Sequence, residues 1–331
     1  MTGGSSFVGA AIVRALVANG HRVRALARSD ASQRGLSALG AEPVQGDLLD
    51  ARSLEIGVQG TTVVVHAAGS LTSAARYADH EKTNVEGTRL VLAAAKRAGV
   101  KRFIYVSAAS VVIDADHPTE GDESLPVKFH RSMAYSATKG IAERLVLEAN
   151  GQSMVTLALR PPLIWSEDAP LIDRLGVTFR QGLFAWIGGG EFSYDVCHVD
   201  NLASAVVQSL EHGSGGQPYF VTDDETSTMK SFFTALMIAA GNPAIGRAVP
   251  YWVAALLGRL IGFGFSVFRP GKTPPLTLEN VRLVGHTLRV SNARAKQELR
   301  YSPPVTRTEG LERIRRARRV ATAEISRSVR A

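Results

Sequence analysis

Two hydrophobic periods alternate along the first half of this 331-residue chain. Residues 10–17 carry apolar side chains at helical spacing and run out near Gly20, a suitable C-cap. Short apolar runs at residues 21–28, 43–47, 62–66, 102–107 and 155–160 read as strands. Val63-Val64-Val65 is apolar without alternation, as in a strand buried on both faces. Residues 84–98 predict a helix, and another follows the 102–107 strand. Strand alternating with helix implies an α/β fold, a doubly wound parallel sheet whose ligand lies beyond the strands' C-terminal ends. The expected division is 1–160 for the sheet domain, 161–310 for a smaller lobe with segments returning to the sheet, and 311–331 for a basic tail. Neither internal repeats nor low-complexity segments interrupt it.

One element is missing from this pattern. A doubly wound sheet places a strand before its first helix, at the centre of the sheet, yet only Met1 precedes Thr2. Without that strand its neighbours' backbone groups would be unpaired. The natural protein is therefore expected to begin several residues earlier, with a Val-, Ile- or Leu-rich run ending beside Thr2.

Two local patterns carry chemistry. The first is Gly3-Gly4-Ser5-Ser6-Phe7-Val8-Gly9, a glycine-rich turn opening directly into a helix. Gly3 and Gly9 let the backbone approach a pyrophosphate, which then sits on the helix's N-terminal N–H groups. The second is Tyr135-Ser136-Ala137-Thr138-Lys139, which sets a phenol and an ammonium one helical turn apart on one face. A lysine near a tyrosine favours the phenolate, so that Tyr135 can exchange a proton with a substrate hydroxyl or carbonyl near neutral pH. Each pattern alone is common; the order and distance between them point to redox chemistry at a carbinol carbon.

Composition narrows the setting. Hydrophobic residues at 45% and charged ones at 21% describe an ordinary globular protein. Of the net charge of +8, residues 311–331 supply +5, so the basicity is a tail and no nucleic-acid partner is expected. That tail reads as a frayed, solvated helix. The single Cys197 excludes an internal disulfide, and no basic-then-apolar signal segment is present, so a cytoplasmic enzyme is expected.

With its glycine turn, Tyr135 and Lys139 in this order, the chain resembles the extended short-chain dehydrogenase/reductases, the NAD(P)-dependent epimerase/dehydratase group. Within that group it is most similar to the 3β-hydroxysteroid dehydrogenase and dihydroflavonol reductase branch, over roughly residues 1–310. The resemblance implies a Rossmann-type sheet holding NADP or NAD. It assigns cofactor contacts to Gly3, Ser5, Ser6, Phe7, Val8, Gly9, Asp47, Leu48, Ala67, Ala68, Gly69, Asn84, Tyr135, Lys139 and Pro161, with Asp47 beside the adenine and Asn84 supporting the active-site backbone. Arg28, where an acidic residue would accept the ribose hydroxyls of NAD, suits the 2′-phosphate of NADP, with Ser29 as a second donor. No metal is expected.

Departures from the family pattern matter as much. Ser6 replaces the middle glycine of the usual turn. Ala108 stands where a serine or threonine normally bonds the reacting oxygen; Ser110 and the adjacent Ser107 are the candidate replacements. Ala109-Ser110 replaces the Asp-Glu pair of nucleotide-sugar dehydratases, which argues against dehydration. His198, in His198-Val199-Asp200-Asn201, reads as structural, with Asp200 a cap or first-turn acid.

Residues 248–268 hold one charge, Arg259, among Tyr251, Trp252, Phe263, Phe265 and Phe268. This segment either lines a substrate cleft, attaches to a membrane surface or spans a membrane, and the first two favour a lipophilic substrate. The expected activity is hydride transfer between nicotinamide and a secondary alcohol or ketone of a sterol-like, terpenoid or polyphenol molecule, with a homodimer as candidate assembly. A nucleotide-sugar epimerase and a catalytically weak NAD(P)-binding regulator are the alternatives.

Overall fold

A computed structural model describes residues 1–70, 76–115, 117–243, 246–269 and 274–328, with side chains up to residue 320. The last three residues of the expected basic tail lie outside it. Helix α1 (Phe7–Ala18) starts on Ser6, whose hydroxyl accepts the Gly9 N–H at 3.0 Å. Then come β1 (Arg24–Ala27), α2 (Asp30–Ala38), β2 (Glu42–Gln45), α3 (Ala51–Val58) and β3 (Val63–His66). They are followed by α4 (Tyr77–His80), a π-helical stretch at Glu81–Glu86, α5 (Gly87–Arg97) and β4 (Arg102–Val106). A 3₁₀ turn at Ala109–Val112 and β5 (Thr119–Gly121) lead into α6 (Ala134–Glu148) and β6 (Val155–Arg160).

The second half contributes β7 (Leu163–Trp165), α7 (Pro170–Arg180), β8 (Ala185–Ile187), β9 (Val196–His198), α8 (Val199–Gln208) and β10 (Gln217–Phe220). After these stand α9 (Met229–Ala239), β11 (Arg247–Val249), α10 (Tyr251–Phe268), α11 (Leu278–Val284), β12 (Leu288–Val290), α12 (Ala293–Glu298) and α13 (Arg307–Ser328).

The main sheet is parallel and runs β10-β6-β4-β3, with β1 and β2 as a second parallel pair. The first two residues connect the parts. Thr2 donates its N–H to Val65 O at 3.0 Å, and the Met1 carbonyl accepts the Leu26 N–H at 2.9 Å. Past this short bridge lies a cavity of about 30 Å³ lined by Met1, Leu26, Val44, Leu54, Val64 and Val91. Helices cover both faces. Ile12 and Val13 of α1 and Leu202 and Val206 of α8 pack on one side of the sheet; Val91 and Ala95 of α5 and Ala142 and Val146 of α6 pack on the other. A separate apolar cluster gathers around Trp165, Phe179, Trp186, Phe232 and Leu236.

Three details differ from the pattern read in the sequence. Strand β1 begins at Arg24, because the His21 N–H bonds Leu16 O and still belongs to the end of α1. The helix expected over 84–98 opens in a π-helical stretch, which places Asn84 inward. The basic segment is not solvated throughout. Ile314 is fully buried, Arg313 bonds Asp200 at 2.8 Å, and Arg318 bonds Asp173 at 2.6 Å.

Candidate active site

The glycine turn folds against the end of β3. Gly3 adopts φ +73°, and a Cβ there would lie 2.6 Å from the Ala68 N; one on Gly9 would lie 1.9 Å from Gly3 O. Both positions therefore demand glycine. Ser6, the departure from the usual turn, caps α1 in place of contributing a bare backbone. The first turn of α1 holds no acidic side chain, so its positive end is open to an anionic group. Across the turn, Ala67 donates to Thr2 O at 3.2 Å, and a Cβ on Gly69 would lie 3.2 Å from Asn84 Oδ1 and 3.9 Å from Lys139 Nζ. Gly3, Gly9, Ala67, Ala68, Gly69, Asn84 and Lys139 thus meet in one place, and side chains added at the glycines would fill it.

At the rim, Arg28 is extended and 80% exposed, with its guanidinium 3.9 Å from Asp47. Ser29 is engaged as the cap of α2, accepting the Ser32 N–H at 3.2 Å. The Leu48 side chain packs on Gly87, where a Cβ would lie 2.6 Å from it.

Helix α6 brings the reacting groups to the C-terminal ends of β4 and β6. Its Thr138 hydroxyl bonds the Ala134 carbonyl at 2.7 Å and accepts from Asn84 Nδ2 at 3.0 Å, while Asn84 Oδ1 accepts the Ser70 N–H at 2.8 Å. Asn84 therefore fixes α6 to the turn after β3. Lys139 is buried, donates to Val106 O at 2.6 Å, and lies 4.0 Å above the Tyr105 ring. Burial lowers its ammonium to about 7, with Glu143 opposing the shift. One turn further on, Glu143 is clasped by Arg160, with contacts of 2.6, 3.0 and 3.1 Å between two buried groups. This bidentate pair ties α6 to the end of β6.

The phenol behaves differently from expectation. Burial, and secondarily the Glu279 carboxylate, push Tyr135 above its ordinary range. The ring of the buried His80 stands edge-on to Tyr135 at 6.3 Å, and His80 Nδ1 lies 3.2 Å from Ser70 O.

Opposite α6, the 3₁₀ turn follows β4 closely. Ser107 donates its N–H to Leu159 O, and Ala109 donates to Pro161 O, both at 2.8 Å. The hydroxyls of Ser107 and Ser110 are buried without a hydrogen-bond partner. Ser110 is accordingly not the cap of its turn, since its own Oγ is unengaged. A buried unpartnered hydroxyl costs stability unless something bonds it.

Residues 1–248 match the model of the 3-beta hydroxysteroid dehydrogenase/isomerase family. The chain belongs to this family. It is an oxidoreductase of the extended short-chain dehydrogenase/reductase class, as its sheet and site residues imply. Among curated relatives, a 4-hydroxy-2-methyl-3-oxo-4-farnesyl-3,4-dihydroquinoline-1-oxide ketoreductase of Stigmatella aurantiaca is 36% identical over 96% of this chain and 95% of that one. A 2-alkyl-3-oxoalkanoate reductase of Stenotrophomonas maltophilia is 33% identical over 95% and 97%. Among solved structures, the one titled gox2253 superposes with a TM-score of 0.76 at 26% identity over 97% of both chains. A short-chain dehydrogenase/reductase superfamily protein from Agrobacterium tumefaciens with bound NAD, 22% identical with a TM-score of 0.72 over 98% of both chains, shares the fold.

Within this 3β-hydroxysteroid dehydrogenase frame, His198 is the buried cap of α8, accepting the Asp200 N–H at 3.2 Å, so its role is structural as expected. Arg160, just before Pro161, is engaged by Glu143. Three neighbours of the reacting groups escaped the sequence reading: His80, Glu143 and Glu279. Glu143 was detectable, since it continues the face of Tyr135 and Lys139 at one further helical turn; the other two have no local signal. A cavity of about 380 Å³ lined by Arg14, Asn19, Ser204 and Pro304 lies between α1 and α8, on the opposite side of the sheet from α6, and takes no part in the site.

Proposed function

We propose that this chain is a ketoreductase that uses NADP in preference to NAD and acts on a secondary alcohol or ketone carried by a lipophilic molecule. The observation that carries the reading is the facing pair of features at the strand ends: Tyr135 and Lys139 on α6, and the unpartnered Ser110 and Ser107 hydroxyls beside β4. A bound nicotinamide supplies the hydride. Tyr135 gives or takes the proton at the substrate oxygen, Lys139 holds its charge close to the ribose side of the cradle, and Ser110 or Ser107 donates to the same oxygen. Arg28, exposed and loosely paired at the cofactor rim, supports the 2′-phosphate assignment. Relatives named for 3-oxo compounds with farnesyl or alkyl substituents support a ketone flanked by an apolar chain.

Helix α10 supports the lipophilic part of the reading. Trp252 is 68%, Phe263 68% and Phe268 81% exposed, and no Asp or Glu occurs between Arg247 and Leu278. An apolar face with only cationic neighbours suits contact with an anionic lipid surface. The deciding assay follows reduced-cofactor absorbance with long-chain 3-oxo esters, 3-ketosteroids and a UDP-sugar, each offered with NADPH and NADH. Oxidation of NADPH by a lipophilic ketone is expected. Conversion of the UDP-sugar to its epimer, followed by chromatography and with no net change in reduced cofactor, would favour the epimerase, and cofactor binding without any turnover the regulatory alternative.

A further inference from the structure

Helix α6 begins without a cap of its own. Met133 precedes it and offers no side-chain acceptor, although the first N–H groups of a helix need one once water is excluded. The acceptor comes from 144 residues further along the chain. Glu279, in the first turn of α11, accepts the Tyr135 N–H at 3.0 Å and the Ser136 N–H at 3.3 Å on one carboxylate oxygen. Three residues on, Arg282 bonds the Ser132 hydroxyl at 2.6 Å, so α11 grips the entry to α6 twice. Helix α11 is in turn seated on α10 at Gly258, where a Cβ would lie 2.9 Å from Leu278 N. The capping carboxylate thus belongs to the apolar hairpin, while the residue it touches carries the reacting phenol.

We propose that Glu279 is a positioning residue: from α11 it caps the helix that carries Tyr135 and places a carboxylate against that residue's backbone. This rests on Tyr135 being the acid/base of the proposed reaction. Burial pushes the Glu279 carboxyl up to about 7, and the N–H groups of Ser136, Tyr135 and Ala134 pull the other way. The same carboxylate is the second cause, after burial, that raises Tyr135. The other titratable groups on these elements are Lys139, Glu143, Arg144 and Glu148 on α6, Tyr251 and Arg259 on α10, Arg282 on α11 with His286 just after it, and Tyr77, Asp79 and His80 on α4. Two anions at this helix end repel each other, so neutralising one favours ionisation of the other.

Glu279→Gln keeps an oxygen that can accept the two N–H bonds and removes the charge; Glu279→Ala removes both. Two readouts are needed. One is the alkaline absorbance titration of tyrosinate, with the Tyr135→Phe background subtracted from wild type and from the Gln variant. The other is the pH profile of kcat for ketone reduction. In the Gln variant the Tyr135 phenolate should appear at a pH lower by about one unit, and the alkaline limb of kcat should move down with it. The Ala variant should lose kcat, while the Gln variant regains most of it. Superimposable titrations and pH profiles in wild type and the Gln variant would overturn the proposal, whatever the Ala variant does to folding. A shifted titration with no ketone turned over would uphold the positioning role and sink the functional reading.

Discussion

Helix α6 buries Ser136, Thr138, Lys139 and Glu143, whereas α10 leaves Trp252, Leu256, Leu260, Phe263 and Phe268 largely in solvent. Both invert the ordinary sorting of polar and apolar side chains, and they do so in opposite directions. Polar burial on α6 is costly unless each group is engaged, and the structure engages most of them: Thr138 with Asn84, Lys139 with Val106 O, Glu143 with Arg160. On α10 only Ala254 and Gly258 are buried; Tyr251 donates to Ala115 O at 3.2 Å and lies 4.2 Å from the His286 ring, while Trp252, Phe263 and Phe268 face solvent. On the function proposed above, the first inversion would serve chemistry inside the protein and the second a contact outside it. Glu279 and the α10–α11 packing join the two.

The sharpest way to break the α6 side of this contrast is Tyr135→Phe. Loss of a positioned acid/base costs on the order of a hundred- to ten-thousand-fold in rate. Tyr135 is one of many expected cofactor contacts and the substitution keeps its ring, so cofactor affinity should stay within about twofold, a change of roughly 0.4 kcal/mol. Steady-state rates and a cofactor titration on one preparation separate the effects. Retained turnover would remove Tyr135 from the reaction.

Much of the sheet half was legible because its signals are local. The 155–160 run became β6 without change, and the glycine turn and Asn84 met at one cradle, because short apolar strands and close backbone approaches leave marks in adjacent residues. The reverse holds where partners are distant in sequence. The Tyr135-Lys139 spacing suggested a phenol eased by its neighbour, but burial and a carboxylate from α11 push the phenol upward instead. The arginines after residue 311 suggested a solvated tail; Ile314 and the contacts of Arg313 and Arg318 dock it, through partners at Asp200 and Asp173. The π-helical stretch before α5 had no signature in composition at all.

A middle-sized effect tests the outward-facing helix. Fully burying an exposed aromatic side chain is worth about 1.5–3 kcal/mol, and interfacial insertion recovers only part of that. Replacing Trp252 and Phe263 together by serine should therefore weaken binding to phosphatidylglycerol-containing vesicles by about a hundredfold. Thermal stability should change little, because both side chains point away from the core. Cosedimentation across a range of lipid concentrations measures this. If wild type fails to bind vesicles and instead dimerises in a way the double variant abolishes, the apolar face is a subunit interface.

The smallest expected effect lies at the cofactor rim. Arg28 directly follows β1, with its guanidinium 80% exposed and its nearest acidic partner, Asp47, 3.9 Å away, so neither packing nor a tight ion pair accounts for its position. A 2′-phosphate reaching this rim would gain a charge-assisted contact, while the two hydroxyls of NAD would gain far less. Solvent weakens such a contact through screening, so the discrimination it supports is modest, about tenfold or 1.4 kcal/mol, and it should shrink as salt is raised. Arg28→Asp replaces attraction for the phosphate with repulsion and offers an acceptor to the ribose hydroxyls. The NADP/NAD affinity ratio should accordingly fall by about tenfold or more, with NAD binding held or improved, and the change should be larger at low ionic strength. Titration of both cofactors at two salt concentrations decides it. An unchanged ratio would mean that Arg28 takes no part in choosing the cofactor and that the preference, if any, is set by the turn at Asp47.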